Sequence, residues 1–328
     1  MVRLKWYIMK NNICRICGEE NNYEEYKLKE MMFGWRDEFE YFKCSNCGCL
    51  QIKEFPSDIA RYYPSNYVSF FSPDDSALKK YLLKKREVFA LTGKGLVGKI
   101  LSEWFGYPDF YLWFSEANFN KNDFILDVGA GKGELLLKLQ NVEFNNLLGI
   151  DPFLEKDIIY NKSLKILKKD LSQINNSFDW VMFHHVFEHL PNPNETFSML
   201  KKLVKRNGKV LIRLPVVDSY AWETYKIYWV QLDPPRHLFL HTVNSIKFLS
   251  EKYGFIINKI MYDSTAFQFW GSEQYKLDIP LMDKRSHFLN NSKNVFSKNE
   301  IKKFEKKAKE LNKIGKGDSA CFYLQNIN

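Results

Sequence analysis

The sequence lacks any apolar run that approaches the ~18 residues a membrane-spanning helix needs. Its first residues also lack the apolar core and the small-residue cleavage site of a secretory signal peptide. We therefore expect a cytoplasmic protein without membrane insertion. The aromatic content of 16% favours packed surfaces and stacking sites over disorder.

A concentrated charge of one sign is also lacking. The 48 Lys and Arg residues outnumber the 39 Asp and Glu residues, which gives a net charge of +9 over 328 residues. The excess is spread along the chain except for a lysine-rich segment near the C-terminus. Charge alone therefore leaves nucleic acid, an anionic membrane surface and a phosphorylated substrate open as partners. The length suggests about two domains.

Cysteine is scarce, but four of the six cysteines form two C-x-x-C pairs, each followed by glycine. A two-residue spacing lets both thiolates of a tight turn bind one ion. The alternatives are disulfides or redox dithiols. A cytoplasmic setting disfavours disulfides, and redox dithiols do not occur as two paired C-x-x-C turns. The spacing predicts a structural Zn²⁺ site with four thiolate ligands: Cys14, Cys17, Cys44 and Cys47.

The segment between the pairs has the pattern of a β-hairpin, with strands at 23–29 and 38–43. We predict a zinc ribbon over residues 1–55 and an aromatic linker followed by a helical lid over 56–118. In the linker, Tyr62, Tyr63 and Tyr67 are available for stacking, or they serve to pack domains together. Glycines interrupt the helical periodicity of 76–105, which favours two helices over one.

A glycine-rich turn follows a short apolar run that ends at Asp127. Gly129, Gly131 and Gly133 occupy alternate positions, and an apolar helical pattern comes next. Glycine has no side chain, so its backbone can approach a ligand closely. The spacing is G-x-G-x-G and not the G-x-G-x-x-G of dinucleotide-binding proteins. A second acid, Asp151, ends the next apolar run.

In combination these motifs resemble the S-adenosylmethionine site of class I methyltransferases over about residues 120–265. The resemblance implies a Rossmann-like α/β fold with a seven-stranded sheet. It also implies that Asp127 binds the ammonium of the cofactor, the three glycines its carboxylate and Asp151 its ribose hydroxyls. Asp170 and Leu171 would contact the adenine, although a loop cap is the alternative for Asp170.

Strand and helix patterns alternate over the predicted methyltransferase domain, residues 119–328. Strands are predicted at 124–127, 147–150, 165–168, 178–183, 209–214, 255–262 and 320–324. Helices are predicted at 195–206, which would stop at Asn207-Gly208, and at 243–252. Residues 264–317 exceed the family pattern as an insertion, and their lysine-rich end has the spacing of an amphipathic helix.

The segment after the fourth strand is H-H-V-F-E-H-L-P and closely matches a segment of the same family. The match implies that His184 and His185 lie near the transferred methyl group, where a histidine can accept a proton. Glu188 and His189 would shape the loop. Some relatives bind a divalent metal through E-x-x-E-H at this position. Here His185 replaces the first carboxylate, so a catalytic metal is not expected.

The segment Pro235-Arg-His-Leu238 resembles the part of small-molecule methyltransferases that covers the acceptor. Arg236 would bind a phosphate or carboxylate, and His237 would be a second candidate base. The alternative for this pair is a loop salt bridge and a cap. Tyr220 and Trp222 are predicted to line the substrate site, with core packing as the alternative.

The combination of zinc knuckle, aromatic linker and methyltransferase core resembles bacterial methyltransferases of nucleotide-sugar and surface-polysaccharide pathways. It implies methyl transfer from S-adenosylmethionine to a small-molecule acceptor, a sugar or nucleotide-sugar, with a histidine as general base. One alternative is a ribosomal RNA base methyltransferase with a zinc finger, although nucleic acid is the less favoured partner. The other is a non-catalytic zinc-ribbon scaffold.

Overall fold

The computed structural model describes residues 13–20, 22–64, 77–117, 119–289 and 295–328. The chain divides into two compact units that each combine separate segments. Unit 1 comprises Met1–Tyr63, His185–Phe197 and Arg213–Phe322, and unit 2 comprises Pro64–His184, Ser198–Ile212 and Tyr323–Asn328. The domain boundaries predicted from the sequence stay predictions. None of the described helices is both long and apolar enough to cross a membrane.

The described residues form strands and helices that are labelled here in chain order. The strands are β1 Tyr23–Lys29, β2 Glu38–Cys44, β3 Leu50–Ile52, β4 Ile125–Val128, β5 Leu147–Ile150, β6 Ile158–Ile159, β7 Leu164–Leu167, β8 Phe178–His184, β9 Val204–Pro215, β10 Phe239–Leu240, β11 Phe255–Tyr262 and β12 Ser319–Asn326. The helices are α1 Ala77–Thr92, α2 Leu96–Phe105, α3 Asp109–Ala117, α4 Glu134–Gln140, α5 Pro193–Leu203, α6 Tyr220–Tyr225, α7 Val243–Tyr253, α8 Phe267–Lys276 and α9 Lys298–Lys313.

A small sheet in unit 1 has the strand order β1-β2-β3-β10. The predicted hairpin is confirmed, since β1 pairs antiparallel with β2 from Tyr23 opposite Cys44 to Lys29 opposite Glu38. Strand β10 adds to β3 from a distant part of the chain. The buried Tyr41 of β2 donates a hydrogen bond from its hydroxyl to the carbonyl of His237, 2.8 Å away. This bond ties the hairpin to the segment that carries His237.

The large sheet has the strand order β11-β12-β9-β8-β4-β5-β7-β6. Strand β4 pairs parallel with both β5 and β8, and β5 pairs parallel with β7. The short apolar strands are buried, as expected of a parallel sheet covered on both faces. The α/β, Rossmann-like class is confirmed. The seven expected strands are present, and β6 adds an eighth strand at the edge by pairing antiparallel with β7.

One local prediction is wrong. The helix expected at 195–206 ends at Leu203, and β9 begins at Val204 and runs through the Asn207-Gly208 pair. Asn207 takes a positive φ of 61°, which this residue type tolerates. A Cβ on Gly208 would lie 2.8 Å from the carbonyl oxygen of Lys205. The pair therefore permits a close backbone approach at the start of a strand instead of ending a helix.

The helices that precede β4 belong to unit 2. Gly93 and Gly95 have positive φ angles of 69° and 107° and separate α1 from α2, which confirms two helices in place of one. A Cβ on Gly98 would lie 2.2 Å from the carbonyl oxygen of Lys85, so the absent side chain lets α2 pack directly on α1. Their role as a lid stays a prediction.

The insertion contributes α8 and α9 to unit 1. Ser297 caps α9 in a reciprocal capping box with Glu300, a pattern that fixes the helix start. Phe304 stacks on Phe269 of α8 at 5.4 Å between ring centroids, and Ala308 and Leu311 are buried. The predicted amphipathic helix is thus present, with its apolar face packed and most of its lysines exposed.

Two of the three linker tyrosines lie within the described residues. Tyr62 is buried and packs edge-on against Trp35 and Phe39, all within unit 1, so its role in packing the domains together stays a prediction. The Tyr63 hydroxyl lies 3.3 Å from Nδ1 of His189. Tyr67 lies outside the described residues.

Candidate active site

The glycine turn joins the carboxyl end of β4 to the start of α4. Gly129, Gly131 and Gly133 all take positive φ angles, of 71°, 53° and 79°, which side-chain-bearing residues rarely adopt. The Gly129 N–H donates to the carbonyl of Ile150 at 2.8 Å and so joins the turn to the end of β5. This explains why all three positions are glycine.

Gly133 and Gly131 differ in how much room their surroundings leave for a side chain. A Cβ on Gly133 would lie 2.5 Å from Cδ1 of Ile166, so this glycine is required by packing. Among the described residues, a Cβ on Gly131 would meet no atom within 4 Å, so the turn opens onto space that they leave free. An N-terminal helix turn with open space beside it suits the carboxylate of S-adenosylmethionine.

Two carboxylates flank this turn. Asp127 lies in β4 and is 4% exposed, and burial together with the negative charge of Asp151 raises its pKa to about 8. Asp151 follows β5 and accepts hydrogen bonds from the N–H of Gly131 at 3.0 Å and of Phe153 at 2.9 Å. A positive ligand group beside Asp127 would restore its ionised form, which fits the ammonium of S-adenosylmethionine.

Asp170 follows β7 and caps a single helical turn at 171–173. Its Oδ1 accepts from the N–H of Ser172 at 2.9 Å, and its own N–H donates to Gln173. The loop-cap role is therefore present, and it places the buried Leu171 directly after the cap. The adenine contact of both residues stays a prediction.

The histidines at the end of β8 have different surroundings. The ring of His184 lies against Trp113 with 4.4 Å between centroids. His185 takes a positive φ of 54°, and its N–H donates to the carbonyl of Arg213 at 2.9 Å. The imidazole of His185 is 37% exposed, with Nδ1 3.3 Å from Oε1 of the fully buried Glu188. A carboxylate thus orients a partly exposed imidazole, the arrangement of many acid–base pairs.

Glu188 lies among three imidazoles. Burial by itself would raise its pKa, but the hydrogen bond from His185 and the nearby His189 and His237 lower that pKa to about 2. His189 and His237 pack edge to face at 4.8 Å between centroids. Glu188, His189 and His237 bring one possible ligand atom each within 4.8 Å of the others.

Arg236 is fully buried and forms ion pairs with two carboxylates. Its Nη2 lies 2.5 Å from Oδ1 of Asp233 and 2.7 Å from Oε1 of Glu30, and its Nη1 donates to the carbonyl of Tyr62. These partners occupy the guanidinium, which is the salt-bridge alternative considered for it. Its role in binding an acceptor stays a prediction that these contacts do not favour.

The two aromatic residues predicted to line the substrate site lie on α6. Trp222 is 2% exposed and packs against Tyr26 and Trp229, so core packing accounts for it. The hydroxyl of Tyr220 accepts a hydrogen bond from Nζ of Lys307 at 2.6 Å, and that ammonium also lies 4.1 Å from the centre of its ring. Tyr220 is therefore engaged with α9.

The four predicted zinc ligands meet in unit 1. Their sulfur atoms all lie within 4.8 Å of one another, with Cys14 to Cys47 at 3.5 Å and Cys17 to Cys44 at 3.6 Å. Each glycine after a pair donates its N–H to the first cysteine's carbonyl and closes a tight turn. Cys49 is buried nearby, outside this set. The cluster is a possible metal centre with no open position.

The predicted residues thus form two groups. The predicted cofactor residues and His184 lie in unit 2, whereas His185, Arg236, His237, Tyr220, Trp222 and the cysteines lie in unit 1. The sequence did not reveal that Glu30 pairs with Arg236 or that Glu188, His189 and His237 converge. The available signal was the density of histidine and acid in two short segments, 184–189 and 233–237.

Residues 105–259 match the family model described as "Methyltransferase domain". No significant match to a curated protein was found. The protein is an enzyme of the S-adenosylmethionine-dependent methyltransferase class, and its mostly parallel α/β sheet matches the Rossmann-like fold of class I.

Similar solved structures have low sequence identity to this chain. The cyclopropane synthase MmaA2 from Mycobacterium tuberculosis is 16% identical, with 66% of this chain and 82% of that chain covered and a TM-score of 0.42. A methyltransferase from Archaeoglobus fulgidus is 21% identical, with 69% and 98% covered and a TM-score of 0.41. The magnesium protoporphyrin IX methyltransferase of Synechocystis is 13% identical, with 82% and 95% covered and a TM-score of 0.42. These similarities do not identify an acceptor.

Proposed function

We propose that the protein transfers a methyl group from S-adenosylmethionine to a hydroxyl group of a sugar or nucleotide-sugar, with His185 as the general base. The observation that carries the proposal is the pair formed by His185 and Glu188 directly after β8. Glu188 is fully buried and lies 3.3 Å from Nδ1 of His185, which leaves Nε2 of the partly exposed ring available to accept a proton.

The cofactor residues are assigned from the open glycine turn. When bound, S-adenosylmethionine supplies a methyl group on a positively charged sulfonium. Asp127 binds the ammonium, the backbone N–H groups at Gly129, Gly131 and Gly133 bind the carboxylate, and Asp151 accepts from the ribose hydroxyls. Asp170 and Leu171 line the pocket for the adenine.

The acceptor must lose a proton as its oxygen bonds to the methyl carbon. His185 takes that proton at Nε2, and Glu188 stabilises the imidazolium that forms. A positioned general base contributes about 10²- to 10⁴-fold to the rate, and alignment of the acceptor supplies much of the remainder. His184 and His237 are secondary candidates, because His184 packs on Trp113 and Nδ1 of His237 lies 2.7 Å from the Gln231 carbonyl oxygen.

We propose Zn²⁺ as the ion held by the four cysteines. Four thiolates at this spacing suit a closed tetrahedral site, and such sites contribute directly to folding. Gln51 donates from its amide to Sγ of Cys14 at 3.1 Å, an outer contact of the kind that orients metal ligands. The role of the ion is structural, since no ligand position remains for a substrate.

A sugar acceptor is favoured over RNA because the arginine of the 235–238 segment is already paired. Arg236 forms ion pairs with Glu30 and Asp233, so its guanidinium is not available to the phosphates of a nucleic acid. The alternative of a ribosomal RNA base methyltransferase rests on the net charge of +9 and the exposed lysines of α9. The scaffold alternative is not retained, because the chain carries the methyltransferase domain and an open glycine turn.

The test is calorimetric titration with S-adenosylhomocysteine, repeated with nucleotide-sugars or short RNA, followed by transfer of labelled methyl groups. We expect nucleotide-sugars to strengthen cofactor binding and to accept the label. In H185N the turnover should fall about 10²- to 10⁴-fold at unchanged cofactor affinity. The matched variant H287N should keep full activity. Label incorporated into RNA alone would overturn the proposal.

A further inference from the structure

We infer that Glu188, His189 and His237 bind a divalent transition-metal ion. One ligand atom from each of the three residues lies within 4.8 Å of the other two. All three belong to unit 1 and form a group separate from the four cysteines. The inference deepens the proposed function, since it adds a Lewis acid beside the proposed base, His185, and it departs from the sequence expectation of no catalytic metal in this segment.

The backbone holds both rings in the orientation that metal ligands adopt. Nδ1 of His237 lies 2.7 Å from the carbonyl oxygen of Gln231, and Nδ1 of His189 lies 2.8 Å from that of Arg236. A carbonyl only accepts, so each Nδ1 carries the hydrogen, and Nε2 of each neutral ring keeps its lone pair. Donation of the other ring N–H to a carbonyl is the usual outer contact of metal-bound histidine.

The carboxylate supplies the second, independent observation. Glu188 is fully buried, with Oε1 near His185, and Oε2 has no hydrogen-bond partner among the described residues. Leaving a buried charged oxygen without a partner costs more free energy than leaving a neutral polar group unpaired. An ion bound at Oε2 removes that cost.

The three atoms are also all acceptors. The two imidazole lone pairs and the carboxylate oxygen lie close together. They cannot form hydrogen bonds with one another, because none of the three atoms carries a hydrogen. A cation between them satisfies all three at once. Two imidazoles and one carboxylate form the donor set of catalytic zinc sites and of non-haem iron sites, which keep open coordination positions.

The same donor set explains the choice of ion and its use. Mg²⁺ prefers an all-oxygen octahedron, so two nitrogen ligands favour Zn²⁺, Fe²⁺, Co²⁺ or Mn²⁺. An acceptor hydroxyl in an open position would have a lowered pKa. Its O–H bond breaks with the proton passing to Nε2 of His185. Its oxygen bonds to the methyl carbon, and the C–S bond breaks with its electron pair left on sulfur.

The test counts metal ions in the full-length protein and does not depend on activity. Protein stripped with a chelator is dialysed against Zn²⁺ or Co²⁺ alone, and bound metal is measured by elemental analysis. We expect two equivalents in the wild type. We expect one in H237N, H189N and E188Q, each of which keeps the ion held by the cysteines. H287N should retain two, and C14S/C17S should lose only the cysteine-bound ion.

Folding of each variant is checked by circular dichroism and by its affinity for S-adenosylhomocysteine, and a variant that fails either check is replaced by the next of the three. One equivalent in the wild type, or two equivalents in all folded variants, would overturn the inference. Two equivalents in a protein that does not methylate sugars would sustain the metal site and refute the proposed acceptor. The two claims therefore fail separately.

Discussion

Asp127 is the residue whose ionisation the fold alters most clearly within the proposed cofactor site. Its side chain is 4% exposed, and burial and the nearby Asp151 raise its pKa to about 8. An ordinary aspartate titrates near 3.9. Between these two values the folded protein holds a proton that the unfolded chain releases, so the stability of the unliganded protein falls as pH rises through this window.

Cofactor binding should have the opposite pH dependence. The ammonium of S-adenosylhomocysteine pairs with the ionised form of Asp127, so binding releases a proton below the pKa of about 8. We predict that affinity rises with pH from 6 to 8 by up to about tenfold per unit and then levels off. Calorimetry in buffers of different ionisation enthalpy measures both the affinity and the proton release.

Two variants test the assignment to Asp127. D127N should bind the cofactor weakly and without this pH dependence, because its amide does not titrate. D123N changes a carboxyl near the start of β4 that accepts a hydrogen bond from the N–H of Asn120, and it should keep the wild-type slope. An unchanged slope in D127N would contradict the prediction.

Arg236 gives a second prediction at this scale. Its guanidinium is fully buried between Asp233 and Glu30, so R236A would leave two carboxylates without their cation. Breaking a buried ion pair from one side typically costs about 3 to 5 kcal/mol. We predict a loss of this size in the free energy of unfolding, measured by urea denaturation. R285A removes an exposed partner of Asp283 and should leave the unfolding midpoint unchanged.

An effect of R236A on KM alone, at wild-type stability, would show that Arg236 binds the acceptor instead. The sequence suggested this acceptor role because a local motif cannot reveal a partner such as Glu30, which lies 206 positions away.

The glycines of the cofactor turn could be predicted from the local sequence. The conformation of Gly129, Gly131 and Gly133 is set by the local turn, so their positions were predictable from spacing alone.

At the scale of elements, local pattern was sufficient wherever a run was long or strongly apolar. The hairpin β1–β2, strand β11 and helix α7 match their predicted bounds to within one residue. The two-residue strands β6 and β10 were not predictable, because such short segments carry no periodicity and exist only through their pairing. The prediction that a helix ends at the Asn207-Gly208 pair failed because tertiary contacts can override a local helix-stop signal.

The packing of α1 on α2 allows a test in which two effects oppose each other. In a helix, alanine is favoured over glycine by about 0.5 to 1 kcal/mol. A Cβ on Gly98 would lie 2.2 Å from the carbonyl oxygen of Lys85 and 2.5 Å from Cβ of Phe89, so the helices would have to separate. Overpacking of this kind costs about 1 to 3 kcal/mol.

We therefore predict that G98A lowers the unfolding midpoint in urea, against the trend of helix propensity. E103A, on the exposed side of the same helix, serves as the control and should not lower it. A midpoint raised by G98A would mean that α2 does not pack on α1 through this glycine.

At the scale of the whole molecule, the order of the large sheet places β12 between β9 and β11, although β12 is the last strand in the chain. The fold class was predictable, because alternating strand and helix patterns permit few arrangements. The chemistry around Glu188 was not, because it depends on two segments that only the tertiary structure brings together. The glycine turn that suits the cofactor could be predicted from the sequence. The residues around the proposed base, His185, could be identified only from the structure.

Net charge is the property of the whole chain that separates the two candidate acceptors. A protein that neutralises several phosphates of a nucleic acid releases counterions, and its affinity falls steeply with salt. A nucleotide-sugar carries only two or so charges, so its binding should depend weakly on salt. The exposed lysines of α9, among them Lys302 and Lys306, would supply much of any RNA contact.

We predict that raising the salt from 50 to 200 mM weakens RNA binding by a factor on the order of 10³ but lowers kcat/KM for a nucleotide-sugar by less than about tenfold. Labelled methyl transfer and filter binding measure the two quantities on one preparation. The variant K302E/K306E should weaken RNA binding further and leave sugar methylation unchanged, because neither lysine lies among the proposed site residues. If this variant instead abolished methyl transfer while RNA was the methylated species, α9 would belong to an acceptor site for RNA.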